Sequence, residues 1–171
     1  MPRMQIFYDY ECPFCKKGYE YLLKFIGDHP EIEIEWRPVE AHPRPEDHPP
    51  HTDLCVQSYY IARELGADMA AFHKTMFRAV AAERRNVESI EVLTDIVKDL
   101  VDTGAFRAAL EAGKYAEQVR ENNDLAYEKS GVWAVPAFRM IRAAVPVKKL
   151  DAVEGLGVTE AQVRDFLLST G

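Results

Sequence analysis

The first forty residues carry two kinds of hydrophobic pattern. Residues 4–9 form a short apolar and aromatic run that predicts a strand. Four apolar residues then recur at helical spacing, on one face of a predicted helix: Tyr19, Leu22, Leu23 and Ile26. Three more alternate with charged residues, as in a strand with one solvated face: Ile32, Ile34 and Trp36. The chain therefore opens with a predicted β-α-β unit.

The rest of the chain changes to helices and then returns to strands. Prolines and histidines crowd residues 38–51, which predicts a loop. Helical spacing of apolar residues dominates from about residue 53 to about residue 129. Residues 133–141 and 143–147 have the composition of two further strands. This order predicts an α/β domain that is interrupted by a stretch of helices.

The last part of the chain carries a helix start signal. Thr159 and Gln162 have the spacing of a capping box, in which each side chain bonds to the backbone of the other residue. We therefore expect a final helix that begins near Thr159 and ends near Gly171.

Composition and charge narrow the functions that the chain can have. Its 171 residues, 47% of them hydrophobic, suffice for one domain with a sizeable core. The net charge of -7 argues against nucleic acid and anionic membrane surfaces as partners. The N-terminus reaches charged residues too soon for a signal peptide, and apolar stretches are too short for a membrane span. We expect a cytoplasmic protein.

The motif Cys12-Pro13-Phe14-Cys15 lies between the first predicted strand and the first predicted helix. A cysteine at a helix start faces unpaired N–H groups and the positive end of the helix dipole, which favour its thiolate. Cys12 is therefore the predicted nucleophile, and Cys15, one turn later, is the predicted resolving thiol. Pro13 suits the first helical position, and Phe14 offers an apolar lip to substrate.

A metal site is the main alternative explanation of a Cys-x-x-Cys motif. A structural zinc site needs four ligands, and the sequence has no second motif of this kind. His42, His48 and His51 fall in the proline-rich loop without a known ligand spacing, so we expect them to be solvated. Cys55 shares a helix line with apolar residues, which predicts burial rather than a redox role. We expect neither a metal nor a bound cofactor.

Three segments resemble the DsbA-like branch of the thioredoxin superfamily, particularly its cytoplasmic FrnE-like members. Residues 7–15 are similar to the family's active-site segment, residues 35–38 to the segment after its second strand, and residues 131–138 to its Gly-Val-Pro-x-Phe segment. The resemblance implies that Pro136 is a cis-proline opposite the active site. The Val135 backbone would then be exposed to pair with an extended substrate.

The resemblance also implies a domain plan and an activity. The plan is a thioredoxin-like α/β fold in which residues 1–52 and 130–171 form the core and residues 53–129 an inserted all-helical subdomain. The activity is thiol-disulfide exchange with protein or small-molecule disulfides and thiols, in which Pro13, Phe14, Val135 and Pro136 contact the substrate.

Two other functions fit the same fold. Kappa-type glutathione transferases and 2-hydroxychromene-2-carboxylate isomerases also carry a helical insertion, but they lack the second cysteine that Cys15 supplies here. A non-catalytic module would bind a partner in the groove between core and helices. The sequence leaves open the direction of exchange, the physiological substrate, the electron partner and the oligomeric state.

Overall fold

A computed structural model describes residues 1–168, and the predicted helix end near Gly171 lies outside this range. Strand β1 (Arg3–Tyr8) is followed by helix α1 (Pro13–Phe25), a 3-10 turn (Ile26–Asp28) and strand β2 (Glu33–Pro38). Strands β1 and β2 pair in parallel, from Arg3 opposite Glu33 to Tyr8 opposite Pro38. The predicted β-α-β unit is confirmed.

The described residues form one four-stranded mixed sheet with the order β2-β1-β3-β4. Strand β3 (Ala137–Ile141) runs antiparallel to β1, and β4 (Lys148–Asp151) runs antiparallel to β3. All residues of β1 after Arg3 are buried, because this strand has neighbours on both sides and helices over the sheet. The residues that directly follow β1 therefore start from the centre of the molecule.

Helices occupy most of the chain between β2 and β3. They are α2 (Asp53–Glu64), α3 (Met69–Phe77), α4 (Ile90–Ile96), α5 (Thr103–Glu111) and α6 (Ala116–Asn123), with π-helical turns at Arg78–Ala82 and Asp124–Lys129. Side chains of Asp68, Ser89 and Asp102 cap α3, α4 and α5 by accepting backbone N–H bonds. These helices fall within residues 53–129, and the division of the chain into core and insertion stays a prediction.

The predicted strand boundaries near the C-terminus are wrong. Residues 133–136 lie outside any strand, and Trp133 is 89% exposed. Residues 143–147 form the connection between β3 and β4, where Ala144 has a φ of 65°. The strand β4 begins instead at two lysines, Lys148 and Lys149. Strand β4 lies at the edge of the sheet, where charged side chains are common. Its sequence therefore lacks the apolar pattern by which strands were predicted.

The last helix, α7 (Glu160–Leu168), begins at the predicted capping box. The backbone N–H of Thr159 donates to Gln162 Oε1 at 2.8 Å, and the backbone N–H of Gln162 donates to Thr159 Oγ1 at 3.0 Å. Helix α7 packs beside α1, which carries the cysteine motif at its first turn. The predicted capping box is confirmed.

Candidate active site

Cys12 is the N-cap residue of α1, and Pro13 occupies the first helical position. The Cys12 carbonyl accepts hydrogen bonds from the backbone N–H groups of Cys15 and Lys16, both at 3.1 Å, while its own N–H donates to the Asp9 carbonyl. Cys12 remains partly exposed, whereas Cys15 is 1% exposed. The helix start therefore presents one thiol to solvent and directs the other into the core.

The two thiols have opposite acidities. A hydrogen bond from the Cys15 thiol lowers the pKa of Cys12, and backbone N–H groups at the helix start act in the same direction. Partial burial and the charge of Asp9 oppose this effect on Cys12. Burial raises the pKa of Cys15 well above its ordinary value, and the neighbouring Cys12 adds to that rise. The surroundings therefore make Cys12 the more acidic thiol of the pair and Cys15 the less acidic one.

The segment before β3 lies against the motif. The Val135-Pro136 peptide bond is cis. The Cys12 Sγ lies 3.9 Å from the Val135 carbonyl oxygen. Gly18 in α1 allows Pro136 to come this close, because a Cβ at Gly18 would lie 3.0 Å from Pro136 Cγ. The fold thus brings together two segments that are more than 120 residues apart in sequence.

A groove of about 300 Å³ opens beside Cys12. Phe14 and the exposed Trp133 contribute aromatic walls, and both lie with Val135 along the groove. Gly157 allows Phe14 to pack against its backbone, because a Cβ at Gly157 would lie 2.9 Å from the Phe14 ring. The φ of +73° at Gly157 also favours glycine there. Further lining residues are Glu11, Pro13, Ala41, His42, Tyr127, Ala134, Val153, Glu154 and Gly155. The residues predicted to contact substrate, except the buried Pro136, therefore share one open surface with the nucleophile.

Asp9 is a buried carboxylate at the end of β1, 3% exposed. It accepts hydrogen bonds from Thr52 Oγ1 at 2.8 Å and from the backbone N–H groups of Ala41 and Glu11 at 2.9 and 3.1 Å. Burial nevertheless raises the pKa of Asp9 from 3.8 to about 6. The Asp9 backbone N–H lies 3.5 Å from Cys15 Sγ, so the same residue supports the buried thiol.

Two charged residues near the motif, Lys16 and Glu11, have ion-pair partners in the structure. Lys16 forms an ion pair with Glu20, one turn further along α1. Arg84, from the stretch between α3 and α4, donates to Glu11 Oε1 at 2.7 Å and to the Glu11 carbonyl at 3.1 Å. Sequence reasoning missed Arg84, because it lies 73 residues after Glu11 in a region with no recognisable motif.

The remaining cysteine and the histidines of the proline-rich loop have their own surroundings. Cys55 is fully buried, as predicted. His42 and His48 stack with ring centroids 3.7 Å apart, and His42 also contacts Glu46 at 2.9 Å. Within residues 1–168, no group of three or more histidine, cysteine or acidic side chains could hold a metal ion. No helix in that range is long and apolar enough to cross a membrane.

The mixed sheet, the dithiol motif at a helix start and the cis-proline facing it define a thioredoxin-like protein. A family model of the DSBA-like thioredoxin domain matches residues 3–156, so the chain belongs to this family. The resemblance found in the sequence and the thioredoxin-like α/β fold are thereby confirmed.

A curated relative and several solved structures are similar to this chain. The uncharacterized protein YwbO of Bacillus subtilis is 24% identical, over 84% of this chain and 88% of YwbO. A probable DsbA oxidoreductase of Streptomyces coelicolor superposes with a TM-score of 0.79 at 18% identity, covering 99% of this chain and 89% of that one. The cytosolic disulfide reductase DsbM of Pseudomonas aeruginosa, solved also with GSH, superposes with a TM-score of 0.71 over 98% of each chain, at 17% identity. At these identities the structures show a common fold.

Proposed function

We propose that this protein is a thiol-disulfide oxidoreductase in which Cys12 is the nucleophile and Cys15 the resolving thiol. The observation that carries the proposal is the difference between the two thiols. Cys12 is partly exposed with a lowered pKa, and Cys15 lies buried behind it with a raised pKa. A nucleophile needs the first combination, while a resolving thiol must stay protonated until a mixed disulfide forms.

The exchange has two steps. The Cys12 thiolate attacks one sulfur of a substrate disulfide, the substrate S–S bond breaks, and one substrate thiolate leaves. Cys15 then loses its proton and attacks Cys12 Sγ, which breaks the mixed disulfide and releases the second substrate thiolate. The products are a Cys12–Cys15 disulfide and a reduced substrate, and the reverse sequence oxidises a dithiol substrate.

The groove beside Cys12 supports an extended disulfide-bearing segment as substrate. The Val135 carbonyl is 3.9 Å from Cys12 Sγ, so a chain bonded to the Val135 backbone would hold its sulfur beside the nucleophile. Pro13, Phe14 and Pro136 complete the predicted contacts. Glutathione is a suitable small partner to test, because the structurally similar DsbM was solved with GSH. The cytosolic DsbM also supports a cytoplasmic location for this chain.

The direct test is the reduction potential of the cysteine pair. A Cys55→Ala variant, equilibrated in glutathione buffers and analysed by thiol trapping and mass spectrometry, should undergo one two-electron transition. Adding Cys12→Ser should abolish the transition, and adding Cys15→Ser should instead leave a glutathione adduct on Cys12. Comparison of this midpoint with the redox potential of the compartment then indicates whether the protein oxidises or reduces its substrates.

Two outcomes would favour the other functions considered. If no disulfide formed in any buffer, the oxidoreductase proposal would be refuted and a transferase or isomerase would be favoured. If a Cys12→Ser variant, which cannot exchange disulfides, retained the full function of the protein, a non-catalytic binding module would be favoured. A second readout is the pH dependence of Cys12 alkylation, whose midpoint should lie below that of an ordinary cysteine because the pKa of Cys12 is lowered.

A further inference from the structure

A second groove, of about 600 Å³, lies between α1 and α3. Among the described residues it shares no lining side chain with the groove beside Cys12. Tyr19 and Phe77 lie along it and stack with ring centroids 5.2 Å apart, and Leu23 adds an aliphatic side chain that is 53% exposed. Three small residues let the groove open widely: Ala70, Ala71 and Ala82. The groove is therefore largely apolar and accessible.

The charges along this groove are unlike those of the whole chain. The chain has a net charge of -7, yet the groove is lined by three cationic side chains and one carboxylate. Lys16 pairs with Glu20, so these two charges compensate each other. Lys74 and Arg78, four residues apart, form no ion pair within residues 1–168, although Arg78 also borders a neighbouring cavity that is lined by Glu83, Asp95 and Asp99. Two positive charges without an ion-pair partner in that range thus lie beside an apolar surface.

We propose that this groove binds a small amphipathic anion, a carboxylate with an unbranched alkyl body. The alkyl chain would lie against Tyr19, Leu23 and Phe77, and the carboxylate would bond to Lys74 and Arg78. A volume of about 600 Å³ lies within the range of small-molecule sites, which are mostly apolar with a few polar groups that orient the ligand. The two charged groups of this groove that form no ion pair within residues 1–168 are both positive, so a ligand with one anionic head fits it best.

This proposal does not depend on the redox chemistry of the cysteines. Cys12 and Cys15 lie at the first turn of α1, whereas the groove begins at Lys16 and extends along α1 to Leu23. A redox-inactive Cys12→Ser protein should therefore bind the anion with unchanged affinity. A variant of the groove should conversely keep the reduction potential of the cysteine pair. The two proposals can thus fail separately.

The test is titration of the whole chain with octanoate, followed by calorimetry and by amide chemical shifts. We expect saturable binding at one site, with shift changes confined to α1, α3 and the π-helical turn Arg78–Ala82. Octylammonium, which has the same chain length and the opposite charge, should bind more weakly. The double variant Lys74→Gln/Arg78→Gln loses both charge-assisted bonds. Its affinity for octanoate should therefore be at most about one tenth of that of the unchanged protein.

Two variants control for charge and for the groove itself. Lys17→Gln/Arg107→Gln removes two exposed cations outside the groove and should leave the affinity unchanged. Ala71→Trp keeps both cations but fills the groove, and it should abolish binding in a protein whose melting temperature shows that it is folded. The proposal would be overturned by absence of saturation at millimolar octanoate, by equal binding of octylammonium, or by full affinity in Ala71→Trp. An acidic amphipathic peptide that bound where octanoate did not would also overturn it.

Discussion

The buried carboxylate of Asp9 should make the stability of this protein depend on pH in a defined way. Asp9 is 3% exposed, and burial raises its pKa from 3.8 to about 6 despite three hydrogen bonds. An Asp9→Asn variant removes the titration but keeps the shape of the side chain. Asparagine has one acceptor oxygen, so it also loses part of the bonding to Thr52, Ala41 and Glu11, a cost that does not vary with pH.

The sign and size follow from proton linkage. Between pH 3.8 and about pH 6 the folded protein holds a proton on Asp9 that the unfolded chain releases. The stability contributed by Asp9 is therefore fully present below pH 3.8 and is lost as the pH rises through about 6. The interval between the two pKa values corresponds to about 3 kcal/mol in total, and about 2 kcal/mol of it should be lost between pH 4 and pH 7.

The assay is urea unfolding of the reduced protein at several pH values. Both proteins carry Cys12→Ser, so that the lowered pKa of the nucleophilic thiol does not contribute to the pH dependence. The free energy of unfolding of the protein with Asp9, minus that of the Asp9→Asn protein, should fall by about 2 kcal/mol from pH 4 to pH 7. Asp47→Asn, at an exposed carboxylate in the proline-rich loop, is the control and should give parallel profiles. Parallel profiles for Asp9→Asn itself would refute the assigned burial cost.

Three substitutions test the packing of the fold by urea unfolding. Gly18→Val should lower the free energy of unfolding by about 2 kcal/mol, because even a Cβ would lie 3.0 Å from Pro136, while Gly27→Val, with open space around it, should change it by less than about 1 kcal/mol. Ala144→Gly should raise the free energy by about 0.5 to 1 kcal/mol, because Ala144 has a φ of 65°; an unchanged or lower value would contradict this account. Thr159→Ala should cost about 1 kcal/mol by removing a helix cap, and Thr159→Ser should restore most of it.

Local sequence signals predicted the part of the site that depends on local structure. A strand followed at once by Cys-Pro-x-Cys and a helix pattern determines which cysteine starts the helix and which lies one turn later. The burial of Cys15 was not predicted, but it agrees with the helix pattern, because Cys15 lies on the side of α1 that carries the buried residues Tyr19 and Leu22. The capping box at Thr159 could also be predicted from the sequence, because its two residues are close in sequence and each bonds to the backbone of the other.

The rest of the site depends on contacts between distant segments. Asp9 could be seen in the sequence as a charge near Cys12, but its burial depends on Ala41 and Thr52, which no local pattern links to it. The position of β4 was mispredicted because this strand, too, depends on another segment. It forms by pairing with β3, and its own sequence does not show the apolar alternation by which strands are recognised.

The asymmetry of the two thiols arises from the way β1 meets α1. The strand ends inside the molecule at Tyr8, and the turn that follows brings the chain to the surface at Cys12 before the helix runs back over the sheet. A residue at the N-cap therefore keeps contact with solvent, while Cys15 returns to the level of Asp9 and takes its N–H as a neighbour. A spacing of one helical turn is thus enough to place two chemically identical thiols in environments that shift their pKa values in opposite directions.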